Sequence, residues 1–175
     1  MKADVNKEYE QHIFLNHIRA ASKAVEDNWQ RNAKEIGITA AEQHILWIVH
    51  SYESLSVSDI AKIGLWDRST VMQVLKRMSA KELVDIHKDH YDRRRSFVRL
   101  TEKGKEKRVE SAQFEFEFYQ FLKTYFDDKT NLLAEMNAFF RAVNGHFHGQ
   151  SFINWLDHSK EGTLFQDERD REQGS

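Results

Sequence analysis

Apolar residues recur every three or four positions along most of the chain, which is the spacing of amphipathic helices. They predict one long helix over residues 9–33. The sequence Thr39-Ala40-Ala41-Glu42 is a capping box, in which side chains satisfy free N–H groups at a helix start. A second helix is therefore predicted to begin there.

Two shorter helices joined by a tight turn are predicted next. Ser56 begins another capping-box sequence, and Gly64 is predicted to end that helix in the left-handed conformation. Asp67 is a good N-cap for the following helix, which extends to about Ala80. The inward positions of that helix are apolar: Val71, Val74, Leu75 and Met78. Two helices and a tight turn in this order are typical of a helix-turn-helix.

The spacing changes from helical to alternating after Ala80. Residues 84–87 and 97–100 alternate apolar and polar side chains, which predicts two strands joined by a polar turn over residues 88–96. The predicted fold is mainly α-helical with a small β wing. It is a winged helix-turn-helix flanked by long N- and C-terminal dimerisation helices.

The C-terminal third is rich in aromatic residues. Thr101 is predicted to cap a long helix, and another amphipathic helix is predicted after Asp127-Asp128, with a short one around residues 152–156. The first of these helices is apolar on several faces, so it needs a second partner. We expect that partner to be another copy of the chain, and a large internal core is the alternative. The aromatic residues are Phe114, Phe116, Phe118, Tyr119, Phe121, Tyr125 and Phe126.

Composition adds to the helical prediction. The 175 residues include no proline, the residue least tolerated inside helices. They include no cysteine, which excludes disulfides within this sequence and fits the cytoplasmic location that we expect. No apolar run approaches the roughly 20 residues of a membrane span, and residues 1–4 lack the apolar core of a signal peptide. We therefore expect no membrane partner.

Charge is distributed unevenly, although the net charge is only −2. Residues 62–108 hold 14 Lys and Arg against 7 Asp and Glu, whereas the remaining residues hold 12 against 21. A positive region on an acidic body is expected of a protein that binds a polyanion. An ordinary solvated charged face is the alternative.

The second helix of a helix-turn-helix enters the DNA major groove with its N-terminal residues first. Gln73 can pair with adenine and Arg68 with guanine or a phosphate, while the methyl groups of Met72 or Thr70 suit a thymine methyl. The outward set predicted to contact DNA is Arg68, Ser69, Thr70, Met72, Gln73, Lys76 and Arg77.

Phosphate contacts are predicted at both ends of the helix pair. Ser69 and Thr70 can bond a base or a phosphate, and Lys76 and Arg77 lie further along the helix, where phosphates are the expected partners. Ser56 and Ser58 lie at a helix N-terminus, which is itself a phosphate site.

Three consecutive arginines, Arg93, Arg94 and Arg95, lie on the turn between the predicted strands. Adjacent like charges repel one another, and a polyanion relieves that repulsion. Arginine also suits the narrow minor groove of A·T-rich DNA. Asp92 is expected to pair with one arginine and aim it, and His90 is expected to help contact phosphate.

The spaced pattern Asp92-x-Arg94, Val98-x-Leu100-Thr101-x-x-Gly104, downstream of Ser69-Thr70-Val71, resembles the MarR family of dimeric bacterial transcription regulators. The resemblance covers the winged region and the flanking helices. Within the family, His44-Ile45-Leu46-Trp47-Ile48 and Ile60-Ala61-Lys62-x-Gly64 are most similar to the Hpr or ScoC branch. Members of that branch are Bacillus repressors of extracellular protease and sporulation genes.

The resemblance implies a homodimer on a pseudo-palindromic operator, with Asp92 and Arg94 at the wing tip. Glu82 stands where family members usually have glycine, a departure that concerns the backbone of this turn and not the fold. Many relatives bind aromatic ligands between the winged domain and the dimer helices. His44, Trp47 and Phe14 could line such a cleft, but core packing is the favoured interpretation, so a small-molecule effector is possible without being supported.

We therefore predict a sequence-specific transcription regulator, acting as a homodimeric repressor on double-stranded A·T-rich DNA and carrying out no catalysis. A helical protein-interaction module that docks an acidic partner is the alternative. The histidines, His146-x-His148 among them, form no recognised metal motif, so no metal or other cofactor is expected. The predicted parts are an N-terminal dimerisation helix (1–38), the winged DNA-binding domain (39–104), C-terminal dimerisation helices (105–160) and a disordered acidic tail (161–175).

Overall fold

The computed structural model of the chain describes residues 2–90, 92–113 and 116–161. Phe114 and residues 162–175 of the predicted tail lie outside the described residues. The described residues form these elements in order: α1 (Lys2–Glu35), α2 (Ala40–His50), β1 (Leu55–Ser56), α3 (Val57–Gly64), α4 (Arg68–Ala80), β2 (Val84–Lys88), β3 (Ser96–Leu100), α5 (Glu102–Ala112), α6 (Glu117–Phe126), α7 (Thr130–His148) and α8 (Gln150–Glu161). The predicted architecture, mainly helical with a small β wing, is confirmed.

The main core lies in the winged region, where α2, α3 and α4 pack on one another and on the sheet. The end of α1 and the residues just after it contribute Ala33, Ile36 and Ile38 to this core. Each helix of the region buries its predicted apolar face, because those side chains recur at helical spacing. The fully buried large side chains include Ile45, Leu46, Ile48, Ile60, Val71 and Leu75.

The predicted helix caps fix where the helices of this region begin. Thr39 and Glu42 form a complete capping box at α2, and Asp67 and Thr101 accept the expected N–H bonds at α4 and α5. At α3 the Ser56 hydroxyl accepts from the Asp59 N–H at 3.1 Å and donates to the Asp59 carboxylate at 2.5 Å.

The prediction that Gly64 ends α3 in a left-handed conformation is wrong. Leu65 takes that conformation, with φ 57° and ψ 38°, and Gly64 is the last helical residue. A Cβ at Gly64 would lie 2.5 Å from the Trp66 ring, so the glycine allows this indole to fold back over the helix end.

The sheet has three strands, one more than the two predicted. Its antiparallel order is β1-β3-β2, and the register pairs Ile86 with Val98 and Leu55 with Val98. β1 has only two residues, too few for an alternating pattern to reveal. It pairs with the edge of β3 that β2 leaves free, and this pairing joins the hairpin to the start of α3.

The turn between α4 and β2 holds Glu82 at φ 60°, the left-handed region that favours glycine. Thr101 donates its hydroxyl to the Glu82 carbonyl at 2.6 Å, and Lys103 pairs with the Glu82 carboxylate at 2.9 Å. Gly104 lies beside this turn, where a Cβ would overlap the Leu83 carbonyl oxygen. The glycine therefore lets α5 approach the backbone that precedes β2.

The predicted long aromatic helix after Thr101 is in fact two helices. α5 ends at Ala112 and α6 begins at Glu117, with Phe116 as its N-terminal flanking residue. Neither glycine nor proline occurs at this break, so no local composition signals it.

The last two helices form a hairpin that reaches back to the winged region. None of the residues of α7 is buried, whereas α8 buries Ile153 and packs on α3. Arg141 of α7 makes two bonds of 2.8 and 2.7 Å to the Asp157 carboxylate of α8. α8 is longer than the predicted segment around residues 152–156 because it extends from Gln150 to Glu161.

Candidate nucleic-acid interface

Helix α4, which is predicted to contact DNA, begins at an N-cap that organises its first turn. Asp67 accepts bonds from the Ser69 hydroxyl at 2.5 Å, the Thr70 N–H at 2.8 Å and the Thr70 hydroxyl at 3.0 Å. These bonds, that from the Ser69 hydroxyl above all, lower the pKa of Asp67 to about 2. The Ser69 and Thr70 hydroxyl protons are thus directed at Asp67, and their oxygens keep acceptor capacity for an incoming donor.

The outward face of α4 carries the residues predicted for it. Val71, Val74, Leu75 and Met78 are buried, while the side chains on the other face are open to solvent. The exposed members are Arg68, Ser69, Met72, Gln73, Lys76 and Arg77, and Thr70 is half-buried.

A depression lies between α4 and β2, and we call it the helix–strand groove. It has a volume of about 480 Å³ and is lined by Met72, Gln73, Lys76, Ser79 and Ile86. Three of these residues were predicted for the interface, whereas Ser79 and Ile86 were not. Ile86 was missed because an apolar residue in an alternating strand is normally assigned to the core.

The wing turn is shaped by its two aspartates. Asp89 accepts a bond from the Asp92 N–H at 2.9 Å, and Asp92 accepts one from the Arg94 N–H at 3.0 Å. The backbone then closes with the Arg95 N–H donating to the Asp92 carbonyl at 2.9 Å. Asp92 therefore acts on the backbone that carries the arginines, whereas the sequence suggested a pairing with an arginine side chain.

All three wing arginines are exposed, and two of them have defined neighbours. The Arg95 guanidinium lies over the Phe97 ring, 5.3 Å from its centroid. The Arg94 carbonyl accepts a bond of 3.2 Å from Nη2 of Arg68 at the start of α4. The basic tip and α4 are thus directly connected.

A second depression lies at the N-terminus of α3, beside the start of α4 and the wing. We call it the serine–arginine pocket. It has a volume of about 210 Å³ and is lined by Ser56, Ser58, Asp59, Lys62, Arg68, Arg95 and Ser96. Three cations and one carboxylate give this lining a net charge of +2, which suits an anion. Ser56 is buried with its hydroxyl bonded to Asp59, so Ser58 is the serine open to solvent.

The two depressions gather seven of the residues predicted to contact DNA. Lys62 and Ser96 join them without having been predicted, and a signal for Lys62 was available because it lies one turn beyond Ser58 on the same helix. The predicted residues that line neither depression are Ser69, Thr70, Arg77, His90, Arg93 and Arg94.

The histidine and tryptophans considered for a ligand cleft have mainly packing contacts. His44 lies between Trp29, Trp66 and Trp155, with ring centroids 5.9, 5.4 and 5.7 Å away. Burial lowers the pKa of His44. Trp47 donates to the Ser111 hydroxyl at 3.1 Å, and Phe14 lies against Phe139.

Among the described residues, no three His, Cys, Asp or Glu side chains gather in a group that could hold a metal ion. No helix in the described part of the chain is both long and apolar enough to cross a membrane.

Helix pair, hairpin and basic surface together define a winged helix-turn-helix protein. A model of the MarR family matches residues 38–96. The chain is 31% identical over 149 residues to the HTH-type transcriptional regulator Hpr of Lysinibacillus sphaericus, covering 81% of this chain and 77% of that protein. The chain belongs to the MarR family, which confirms the resemblance seen in its sequence.

Other relatives match over a shorter length. Hpr of Halalkalibacterium halodurans is 35% identical over 102 residues, which cover 58% of this chain and 53% of that protein. Hpr of Geobacillus thermodenitrificans is 36% identical over 98 residues, covering 54% and 49%. The chain thus spans about half the length of these two curated relatives.

Solved structures show the same fold. AbsC, a MarR family regulator from Streptomyces coelicolor, superposes with a TM-score of 0.68 at 23% identity, covering 81% of this chain and 96% of AbsC. A MarR mutant from E. coli complexed with operator DNA superposes with a TM-score of 0.65 at 16% identity, covering 77% and 95%.

Proposed function

We propose that the protein is a sequence-specific regulator of transcription that binds double-stranded DNA as a homodimer and acts as a repressor. The observation that carries this proposal is the bond between Arg68 and the Arg94 carbonyl. It holds the recognition helix and the basic wing as one surface, as a protein that contacts neighbouring grooves requires. Curated relatives named HTH-type transcriptional regulators support it, as does the structure of an E. coli MarR mutant complexed with operator DNA.

Helix α4, lying in the major groove, would make most of the base contacts that distinguish one DNA sequence from another. Gln73 is exposed and can bond the adenine edge. Arg68 bonds the wing through Nη2, and its other N–H groups can reach guanine or a phosphate. Ser69 and Thr70 offer acceptors to exocyclic amines. Lys76 and Arg77, further from the N-terminus of the helix, would neutralise phosphates.

The wing would enter an A·T-rich minor groove. Arg93 and Arg94 are exposed at its tip, and the backbone bonds of Asp92 fix the turn that presents them. Narrow A·T-rich grooves concentrate negative potential, which favours inserted arginine. His90, at the edge of the same turn, would add a phosphate contact.

The serine–arginine pocket would hold a backbone phosphate between the two groove contacts. Ser58, Lys62 and Arg95 line it, and the N-terminus of α3 adds the positive end of a helix dipole. A phosphate bound here would fix the position of the protein along the duplex without reading a base.

A second copy of the chain would cover the exposed apolar side chains of α1, α6 and α7. Exposed examples are Phe14, Phe121 and Phe140, and large apolar side chains gathered in an exposed patch mark an interaction surface. Two copies related by a two-fold axis match a pseudo-palindromic operator. We propose residues 39–104 as the DNA-binding domain and residues 1–38 and 105–160 as the parts that join the subunits.

The test begins with selection of bound sequences from random duplex DNA by the full chain. We expect an A·T-rich pseudo-palindrome with half-sites one helical turn apart. Gln73→Ala should change which sequences are selected. Failure to enrich any sequence, with binding to an acidic protein instead, would favour the interaction module and contradict this proposal.

The wing is tested by replacing Arg93, Arg94 and Arg95 together with alanine. Loss of three phosphate or groove contacts should weaken binding about 100-fold at physiological salt. It should also make the negative slope of log K against log salt shallower by about three. Mobility shift over a salt series measures both quantities. Unchanged binding would remove the wing from the interface.

The matched control removes the same charge elsewhere. Arg19, Lys23 and Lys34 are exposed on α1, far along the chain from the wing. Their joint replacement by alanine should leave the salt slope nearly unchanged. An equal loss of affinity in both triple variants would mean that net charge, and not the wing, attracts the DNA.

A further inference from the structure

The helix–strand groove combines an apolar floor with a polar and basic rim. Met72 and Ile86 are 42% and 37% exposed, although both side chains are large and apolar. Gln73 and Lys76 lie beside them on the outward face of α4. The groove therefore lies within the proposed DNA surface and has a chemistry that phosphate contacts do not use.

The position of Ile86 follows from the alternation of β2. Val84 is buried on the inner face of the sheet, and Ile86 lies two residues further along the same face, opposite the buried Val98. The buried core ends between Val84 and Ile86. Ile86 therefore lies beside the buried Val98 on one side and lines the groove on the side of α4. Exposing a large apolar side chain to water is unfavourable, and a polar residue at position 86 would avoid that cost.

We propose that Met72 and Ile86 together recognise the 5-methyl group of thymine in the major groove, beside the base edge contacted by Gln73. Thymine is the base that presents a methyl group in this groove. An amide that bonds adenine and an apolar groove that receives a methyl group would select the same A·T-rich sequences. This inference rests on the proposed function because it names the base chemistry read by that surface.

The charge around the groove favours DNA as its occupant. Lys76 lies on the rim, and Arg68 precedes Met72 by one turn of the same helix. An apolar peptide or a second copy of the chain would leave these cations without partners, whereas a duplex brings a phosphate backbone and a methyl group at once. The groove is also continuous with the helix face that carries Gln73.

Replacement of thymine by uracil tests the contact, since uracil lacks only the methyl group. The duplex enriched by selection is synthesised with uracil at each thymine in turn, and binding is measured by titration. We expect wild-type protein to bind about fourfold more weakly when the critical methyl group is absent. Ile86→Ala should bind the thymine duplex more weakly and should bind both duplexes equally.

Two further variants keep the test sharp. Ile86→Val removes one methyl group and should reduce the thymine preference partway, and Met72→Ala should reduce it as well. Asp85→Ala changes the neighbouring residue on the opposite face of β2, so it should leave the ratio of thymine to uracil affinity unchanged. Because the readout is a ratio within one variant, a general loss of affinity does not imitate the effect.

The possible outcomes separate the two proposals. Absence of any enriched duplex contradicts the proposed function itself. Specific binding with equal affinity for thymine and uracil at every position overturns the methyl contact and leaves the regulator proposal standing. A thymine preference that survives in Ile86→Ala, Ile86→Val and Met72→Ala also overturns it, because the methyl group would then be read elsewhere.

Discussion

Helices α4 and α7 have similar amphipathic patterns but opposite surroundings. α4 buries four apolar side chains in the winged core, whereas none of the residues of α7 is buried. Phe139 and Phe140 remain 44% and 38% exposed, and Phe147 is 72% exposed. Apolar spacing thus predicts that a helix face will be covered, but it does not specify whether the same chain or another covers it.

The two regions are nevertheless linked through α8. Arg141 and Asp157 join α7 to α8, while Trp155 of α8 packs against the winged core and α8 contacts α3. In the proposed dimer, a movement of α7 would therefore be transmitted through α8 to α3, the helix that precedes α4 in the chain. The basic surface and the exposed apolar surface are parts of one connected structure.

The largest expected effect comes from charging the α7 face. Met136→Asp with Phe140→Asp places two carboxylates one turn apart in the proposed subunit interface. Loss of apolar burial and the cost of burying charge should weaken dimerisation about 1000-fold or more. Sedimentation equilibrium measures it, and DNA affinity should fall in parallel because each half-site would be bound alone.

The control adds the same charge to polar positions of the same helix. Asn131→Asp with Asn137→Asp should leave the dimer intact, because both asparagines are exposed and neither belongs to the apolar set. If wild-type protein sediments as a monomer at micromolar concentration, α7 is not a subunit interface and the contrast with α4 needs another explanation.

Truncating one core residue should give the next largest effect. Ile45 is fully buried, so Ile45→Ala should lower the free energy of unfolding by about 2–5 kcal/mol. Leu133→Ala on α7, where the side chain is 38% exposed, should cost only about 0.5 kcal/mol when measured in the monomeric double-aspartate background. Urea denaturation compares the two, and equal costs would abolish the distinction between the regions.

Much of the winged domain was predictable because its signals are local. Thr39, Asp67 and Thr101 cap helices as predicted, since each cap involves residues only three positions apart. The hairpin strands and the inward residues of α4 followed from spacing alone. The outward set on α4 followed in turn, because outward positions are those left over when the inward ones are known.

Features that depend on distant residues were not predictable. β1 exists because β3 offers it an edge, and two residues carry no periodicity of their own. The break between α5 and α6 has no glycine or proline, and Leu65 rather than Gly64 turns left-handed, while Gly64 makes room for the Trp66 ring. The Asp92 carboxylate accepts from the Arg94 backbone N–H instead of a guanidinium, because the turn brings that N–H close to it.

The stability of the winged domain should depend on pH. The folded pKa of Asp67 is about 2, below its ordinary value of 3.8, so its stabilising contribution is complete above about pH 4 and is lost as pH falls through about 2. Asp67→Ser keeps an N-cap without titrating, and it should lose less stability over that pH interval than wild type does. Thermal melts from pH 5 to pH 2 measure the difference.

The same melts test whether the cap at Asp67 is independent of α7. The change in pH dependence caused by Asp67→Ser should be the same in the wild-type background and in the α7 double-aspartate background. A dependence that disappears with the dimer would show that the recognition helix is not capped independently of α7.

The smallest expected effect is a gain. Glu82 holds φ 60°, a conformation that costs a residue with a Cβ more than it costs glycine, so Glu82→Gly should raise Tm by about 2 °C. Loss of the exposed Lys103 pair offsets little of this gain. Glu82→Ala removes the same pair while keeping the Cβ, and it should give no gain. A gain in Glu82→Gly alone, of equal size with and without the α7 substitutions, would show that this turn belongs energetically to the winged domain. Equal gains in both Glu82 variants would instead assign the cost to the side chain.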